Sequence, residues 1–318
     1  MSGLVSFFIS MQYGIAIRNA SVRTEPVTEP LRKEPGDVWD RRQESRLNIG
    51  EAVQIKSFGT NWVYVISDTT AGYAEECDFV FCSKAQYECY RMHCRREHRV
   101  VLKAGRNEYG QYLRTGTVLP MEEAFRVTGL WETMKERVRE EYRRTLCRGE
   151  TMWEAPPVMI YGELPFSDRQ MLLQMERMLE IPYSWGDERA DGMDCSSTVR
   201  AFYACFGLFL PRNSGEQREY GERLEAAGLA EYRDVRGKSI AEKREVLRLL
   251  GVGTVIHMPG HVMLYAGEWD GEPRIFHNCD TYTENGEEHI VRNCVISGFF
   301  SKGEGTYLDY VTAMWKKK

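Results

Sequence analysis

The sequence lacks long apolar runs, an excess of basic residues and low-complexity tracts. Its longest apolar run, 201–210, falls well short of the ~18 residues that cross a bilayer, so we predict no transmembrane segment. Lys and Arg number 42 against 47 Asp and Glu, which excludes the broad positive surface of a typical nucleic-acid-binding protein. With 42% hydrophobic and 12% aromatic residues, the 318-residue chain has ample material for a buried core.

The N-terminal segment also lacks the pattern of a secretory signal. Leu4–Ile9 is apolar, but no Lys or Arg precedes it and no small-residue cleavage site follows it. We interpret residues 1–11 as a first strand or an extension. Nine cysteines are an odd number in a chain too long to need disulfide staples. The sequence therefore predicts reduced thiols and a cytoplasmic location, with the cell envelope as the alternative.

The chain divides into three segments with different patterns. Residues 1–85 carry short alternating or β-branched runs such as Trp62–Ile66, separated by turn residues, which predicts a small β-barrel. Residues 86–120 carry a second, poorer set of strand patterns, so we predict a further barrel or a linking β-rich module over 86–157. Residues 158–318 mix helical and strand patterns, so the predicted fold class is α+β.

Capping signals mark the helices of the last segment. Ser167 and Ser239 each begin a capping box, and Asp194 precedes a helix whose buried face repeats at i, i+3, i+4 and i+7. Strands follow at His261–Ala266 and Arg274–Asn278, joined by a turn at Asp270 and Gly271.

Cys195 is the first candidate for chemistry. It follows the predicted N-cap Asp194, where unpaired backbone N–H groups and the helix dipole favour a thiolate. The alternative is a buried structural cysteine, a common role for an unpaired thiol. Cys205, between aromatic residues in the same helix, fits that alternative.

Two histidines are candidates for the base that a nucleophilic thiol needs. His261 opens a strand after Pro259 and Gly260, and His277 lies on the next strand, where antiparallel pairing brings the two rings side by side. We therefore assign His261 as base and His277 as the group that orients it, with a structural strand histidine as the alternative for His277. His257 is the competing base; Pro259 and Gly260 exclude the helix that a zinc-binding pair with His261 needs.

Four motifs, taken in order and spacing, resemble the NlpC/P60 family of cell-wall cysteine peptidases. The likeness covers roughly residues 160–285, and the N-terminal half is similar, less specifically, to the bacterial SH3-like modules that precede this domain in peptide-recycling members. The motifs are Pro182-Tyr183-Ser184-Trp185-Gly186, Asp194-Cys195-Ser196-Ser197, Leu210-Pro211-Arg212-Asn213-Ser214 with Gln217, and Gly260-His261-Val262-Met263-Leu264-Tyr265.

This resemblance implies a papain-like catalytic domain that hydrolyses the γ-D-glutamyl–diamino acid bond of murein stem peptides, with Cys195, His261 and His277 as the catalytic set. It also implies a requirement for a free N-terminal L-alanine, whose ammonium Asp194 would bind. An SH3-like module would wall off that end of the groove. The residues implied in substrate binding are Tyr183, Trp185, Asp194, Ser196, Asn213 and Ser214, with Glu51 and Tyr73 for the wall.

Other functions remain open at this point. The protein could instead be a non-catalytic murein-binding protein, or an acyltransferase or amidase on the same fold, because a fold does not fix a substrate. A zinc site is conceivable at the cluster of Cys77, Cys82, Cys89 and Cys94. Its spacings, however, are wider than those of the usual pairs of zinc ligands. We predict no metal and no cofactor; the expected partner is the murein peptide, and the oligomeric state is left open.

Overall fold

The computed structural model describes residues 12–58, 61–121, 136–137, 155–284 and 286–318. The predicted first strand or extension at 1–11 and most of the middle of the second predicted module lie outside these residues. Within the described part, no helix combines the length and the apolar character needed to span a bilayer.

The N-terminal segment forms a seven-stranded antiparallel sheet with the order β3-β2-β6-β5-β4-β1-β7. Alternate residues of β4 and β5, including Val53, Ile55, Val63 and Val65, point into a buried core, as the period of two predicts. The strands are β1 (Gln12–Ala16), β2 (Ser21–Arg23), β3 (Gln43–Arg46), β4 (Ala52–Phe58), β5 (Trp62–Ile66), β6 (Ala71–Glu75) and β7 (Phe79–Cys82).

The predicted closed barrel is not found among the described residues, because β3 and β7 remain as two edges. The β3 edge faces the C-terminal half of the chain instead. Gln43 Nε2 donates to Gly186 O at 3.1 Å, and Arg46 Nε donates to Asp187 O at 2.8 Å. The edge strand therefore makes its polar contacts with another part of the protein rather than with β7.

The strands predicted from residue 86 onward begin later than expected, because 84–96 form helix α1 (Lys84–Arg96). Ser83 accepts from Gln86 N at 3.2 Å and Gln86 accepts from Ser83 N at 2.9 Å, a full capping box. Tyr87 and Tyr90 lie one turn apart and are both buried, which gives the helix its apolar face.

After α1 the predicted strands appear. The central strand β8 pairs with β11 on one side and with β12 on the other. A two-residue hairpin, β9 with β10, lies between them in the chain. Their bounds are β8 (His98–Lys103), β9 (Gly105–Arg106), β10 (Tyr112–Leu113), β11 (Val118–Pro120) and β12 (Val158–Tyr161).

The C-terminal segment has a six-stranded antiparallel sheet with the order β13-β20-β14-β15-β16-β17. The helices predicted after Ser167, Asp194 and Ser239 begin at those caps, which confirms them. The helices are α2 (Asp168–Arg177), α3 (Cys195–Ala204), α4 (Ser214–Ala226), α5 (Ile240–Leu250) and α6 (Tyr307–Tyr310); the strands are β13 (Ala230–Asp234), β14 (Val255–Met258), β15 (His261–Trp269), β16 (Glu272–Glu284), β17 (Glu287–Ser297), β18 (Ser301–Lys302), β19 (Gly305–Thr306) and β20 (Ala313–Lys317).

This sheet separates two apolar layers. Val262, Leu264 and Phe276 pack on one side with Phe202 of α3, and alternate residues such as Met263 pack on the other with α5 and α6. The chain is thus a mixed structure of α-helices and β-strands. The predicted domain boundaries at 85 and 157 stay a prediction.

Candidate active site

Cys195 is the first residue of α3, and the Asp194 carboxylate caps the helix by accepting from Ser197 N at 2.9 Å. Cys195 is partly exposed and lies against the start of β15, where its thiol meets the backbone N–H of Val262. The fold therefore brings Cys195 to the strand end that carries His261.

His261 and His277 sit side by side on β15 and β16, as the hairpin predicts. His261 Nε2 lies 2.9 Å from His277 Nδ1, and His277 Nε2 lies 3.0 Å from the hydroxyl oxygen of Ser297 on β17. That hydroxyl donates to Gly298 O at 2.7 Å. The three side chains form one hydrogen-bonded row that sequence reasoning did not extend to Ser297.

The Ser297 hydroxyl at the end of this row determines the tautomers of His277 and His261. Because the single hydrogen of the Ser297 hydroxyl goes to Gly298 O, its oxygen accepts from His277 Nε2–H. His277 Nδ1 then accepts from His261 Nε2–H. His261 Nδ1 is left as a proton acceptor, which is the property a base beside a thiol needs.

Burial shifts the pKa values of the thiol and of both histidines towards their neutral forms. Desolvation lowers the pKa of His261 to about 4, with the charge of Lys302 acting in the same direction and that of Asp194 against it. The pKa of His277 is well below its ordinary value for the same reason. Burial, followed by the Asp194 charge, raises the pKa of Cys195 to about 12. Both effects oppose the helix terminus, and the predicted thiolate stays a prediction.

Two carboxylates, the half-buried Asp194 and the buried Asp187, and two arginines support the N-terminus of α3. Arg212 bonds Asp194 at 2.5 Å and 3.1 Å and the Ser196 hydroxyl at 2.7 Å. Asp187, fully buried, accepts from Asp194 N at 3.1 Å and from the Ser197 hydroxyl at 2.5 Å. Arg114 pairs with Asp187 at 3.0 Å, so the N-terminal half of the chain also reaches this network.

The N-terminal half contributes one wall beside Tyr183 and Trp185. Trp39 donates from Nε1 to Asp280 at 2.7 Å and packs edge-on against Tyr183, with ring centroids 5.5 Å apart. Arg41 lies over the Trp185 ring, 4.3 Å from its centroid. Trp39 and Arg41 were missed by sequence reasoning, because nothing in the local pattern links residues so far apart in the chain.

The remaining predicted site residues lie in different places. Asn213 is exposed and caps α4, and Ser214 is the first residue of that helix. Glu51 lines a cavity on another face of α3, and Tyr73 packs on Tyr64 within the N-terminal sheet, with ring centroids 5.1 Å apart. The predicted roles of Glu51 and Tyr73 stay predictions.

Two alternatives came from the sequence: His257 as the base, and a zinc site at the four cysteines between 77 and 94. The structure shows where those residues lie. His257 is buried and accepts from Trp315 Nε1 at 3.0 Å, so its ring belongs to the core. Within the described part of the chain, the one group of side chains close enough to hold a metal is Glu75, Cys77 and Asp78. Cys82, Cys89 and Cys94 do not join Cys77 there, and Cys82 and Cys94 pack near Tyr90.

A thiol at a helix N-terminus, beside two paired histidines on an antiparallel sheet, is an arrangement for nucleophilic hydrolysis. Residues 180–294 match the model of the NlpC/P60 family, so this part of the chain is an NlpC/P60 family domain. Peptidases of this family are hydrolases.

Individual relatives agree with this assignment. The gamma-D-glutamyl-L-lysine dipeptidyl-peptidase of Bacillus cereus is 27% identical over 128 residues, which cover 37% of this chain and 38% of that protein. The match thus spans well under half the length of this relative.

Two solved structures share the fold. An NlpC/P60 endopeptidase from Photobacterium damselae subsp. piscicida aligns over 90% of this chain and 66% of its own, with 16% identity and a TM-score of 0.62. An NlpC/P60 family protein from Bacillus cereus aligns over 95% of this chain and 98% of its own, with 14% identity and a TM-score of 0.57.

Proposed function

We propose that this chain is a cysteine peptidase that hydrolyses the bond between γ-D-glutamate and a diamino acid in murein stem peptides. The observation that carries the proposal is the hydrogen-bonded row from Ser297 through His277, which leaves His261 Nδ1 as an acceptor at the strand end beside Cys195. The name of the Bacillus cereus relative, which specifies γ-D-glutamyl-L-lysine, supports the choice of bond.

The proposed reaction starts from a neutral thiol and a neutral imidazole. Cys195 Sγ attacks the γ-glutamyl carbonyl carbon while its proton moves to His261 Nδ1. The Cys195 backbone N–H donates to the oxyanion, a contact whose loss typically costs about 3 kcal/mol of barrier. His261 returns the proton to the leaving amine as the C–N bond breaks. Water, activated by the same imidazole, then hydrolyses the thioester.

Substrate binding is proposed at the polar cluster beside the thiol. Asp194 keeps 13% of its side chain exposed although Arg212 holds the carboxylate, so a free L-alanyl ammonium has access to it. Tyr183 and Trp185 would line the groove, with Ser196, Asn213 and Ser214 nearby along the chain. We place the wall that limits the enzyme to short, unblocked peptides at Trp39, since it contacts Tyr183.

We further propose that residues 158–318 are a papain-like domain and that the N-terminal sheet corresponds to an SH3-like module. The open sheet order differs from a closed barrel, but its antiparallel strands and their contact with the 185–187 turn are in keeping with a small module docked on the catalytic segment. A cytoplasmic location stays part of the proposal.

The test is product analysis with defined peptides. L-Ala-γ-D-Glu-L-Lys and L-Ala-γ-D-Glu-meso-diaminopimelate, each with a free and an acetylated N-terminus, are incubated with the full chain and the products identified by mass. We expect L-Ala-D-Glu and the free diamino acid from the unblocked peptides. Products that carry a new acyl acceptor would favour the acyltransferase alternative.

Cys195→Ala should abolish this turnover and leave the melting temperature close to that of the parent. Cys77→Ser, at an exposed thiol elsewhere in the chain, is the matched control and should keep full activity. Hydrolysis by the Cys195→Ala protein, or none by the parent on any of the four peptides, would reject the proposal.

A further inference from the structure

A cavity lies between the two halves of the chain, and Cys195 is not among the residues that line it. Its volume is about 520 Å³, within the range of small-molecule sites. It is bounded by loops of the N-terminal sheet around 48–52 and 67–69, by α1, by the 114–118 turn and by α3. No residue of the catalytic set lines it.

The cavity and Cys195 lie on different faces of α3. The α3 residues that line it are Ser197, Arg200, Ala201 and Ala204, which lie along one helix face at i, i+3, i+4 and i+7. Cys195 precedes Ser197 by two residues, which is about 200° around the helix axis. A ligand in the cavity therefore contacts a different side of α3 from a peptide on Cys195.

Two opposite charges face this cavity without an ion pair. Arg200, only 8% exposed, donates from Nη1 to Thr69 Oγ1 at 2.8 Å. Glu51 accepts from Asn48 N at 2.9 Å. Each is the strongest charged neighbour of the other, yet among the described residues no contact within 4.0 Å joins them. A carboxylate and a guanidinium are thus held apart in one cavity.

Most of the other charges in the lining are already paired. Arg91 holds Asp68 at 2.5 Å, and Arg114 holds Asp187 at 3.0 Å. Arg114 is 1% exposed, and its Nε and Nη1 have no hydrogen-bond partner within the described part of the structure. Such orphaned donors are rare in buried positions, which points to a polar ligand or water here.

The rest of the lining is largely apolar. It includes Val118, Ala201, Ala204, Phe209 and Leu210. An occupant with both charges and an apolar body matches this lining better than a simple inorganic anion, which would leave Glu51 without a cation.

We propose that this cavity binds a zwitterionic amino acid or short peptide, with its carboxylate on Arg200, its ammonium on Glu51 and its apolar side chain against Ala201 and Ala204. Guanidinium–carboxylate pairing in a partly buried site supplies both orientation and affinity. The site is independent of the proposed hydrolysis, because it lies on the other face of α3.

The test measures binding to the full chain carrying Cys195→Ala, which removes turnover. The probes are L-leucine and L-leucyl-L-leucine, each compared with its N-acetylated and C-amidated forms, by calorimetry and ligand-observed NMR. We expect saturable binding of the zwitterions and at least a tenfold loss when either charge is removed. Glu51→Gln, which keeps the Asn48 contact, should weaken the binding of the zwitterionic probes tenfold. The affinity for the N-acetylated forms should stay unchanged.

Ala204→Leu fills part of the cavity and should weaken the binding of every probe that binds to the parent cavity. No saturable binding up to about 10 mM overturns the proposal, as does equal affinity for charged and blocked probes. Binding that Ala204→Leu leaves unaltered places the ligand elsewhere and also overturns it. If Glu51→Gln does not fold, the comparison of free with N-acetylated and C-amidated probes on the Cys195→Ala protein is sufficient as the test. Peptidase activity is measured separately, so failure of one proposal is distinguishable from failure of the other.

Discussion

His277 Nε2 lies 3.0 Å from the Ser297 hydroxyl, and that hydroxyl is committed to Gly298 O at 2.7 Å. The pair settles which nitrogen of His277 carries the proton and, through it, which nitrogen of His261 is free. Ser297 on β17 thus sets the tautomer of the histidine on β15 that we propose as the base.

Ser297→Ala should lower kcat, because His277 then loses the acceptor that selects its tautomer. A neutral hydrogen bond worth about 1 kcal/mol sets the loss at about fivefold to tenfold. Ser297→Thr keeps the hydroxyl and serves as the control. Steady-state kinetics of both variants check this; an unchanged kcat in Ser297→Ala, with KM altered instead, would contradict the role.

Lys302→Met should move the acid limb of kcat/KM to higher pH. The Lys302 charge helps to hold the pKa of His261 at about 4, so its removal raises that pKa. The protonated ring accepts no proton from Cys195, and activity is therefore lost at a higher pH than in the parent. Lys302→Arg keeps the charge and should leave the limb in place. An acid limb of kcat/KM that does not shift in Lys302→Met, or that shifts to lower pH, would refute this prediction.

The free energy of unfolding should fall as the pH drops below about 6.5. The pKa of His257 is lowered by burial to about 3 and that of His261 to about 4, so the unfolded chain binds more protons between these values and 6.5. Each histidine contributes a slope of at most about 1.4 kcal/mol per pH unit.

His257→Gln keeps an acceptor for Trp315 Nε1 but does not titrate, so its denaturation midpoints should depend less steeply on pH over this window. Urea titrations of parent and variant at a series of pH values measure the two slopes. Identical slopes would contradict the assignment of His257 as a buried neutral base.

Asp187→Asn should destabilise the fold by about 3–5 kcal/mol, because it leaves Arg114 and Arg212 buried without this counter-charge. Asp191→Asn is the matched control: its 2.7 Å pair with Arg189 is exposed, and its loss should cost about 0–1 kcal/mol. Chemical denaturation compares the two. Equal effects would show that the buried network contributes little.

Trp39→Ala should relax the selection against blocked peptides. Its ring packs against Tyr183 and bonds Asp280, so truncation opens this end of the proposed groove. We expect kcat/KM for acetylated tripeptides to rise relative to free ones, with Trp269→Ala, at an exposed tryptophan of the β15–β16 hairpin, unchanged. A constant ratio in Trp39→Ala would remove Trp39 from the wall.

Local signals predicted the parts of the site that depend on short stretches of chain. The Asp194 cap places Cys195 at a helix start, and one hairpin places His261 beside His277, so both followed from spacing. The helix at 84–96 was missed although Ser83 and Gln86 form a readable capping box, because the residues from 86 onward were interpreted as strands.

Long-range contacts could not be predicted in the same way. Trp39 and Asp280 are 241 residues apart, and no period or cap in either stretch indicates the other. The raised pKa of Cys195 depends on burial, which only the assembled structure supplies. What the sequence left open was therefore chiefly packing between distant segments and its effect on charge.

The Asp187 carboxylate has a consequence for biosynthesis. Its counter-ion Arg114, and Arg46 that bonds its carbonyl, both precede it in the chain. A ribosome that synthesises the protein from its N-terminus has therefore made both arginines before it makes α3. The segment that carries Asp187 thus meets partners that have already been synthesised.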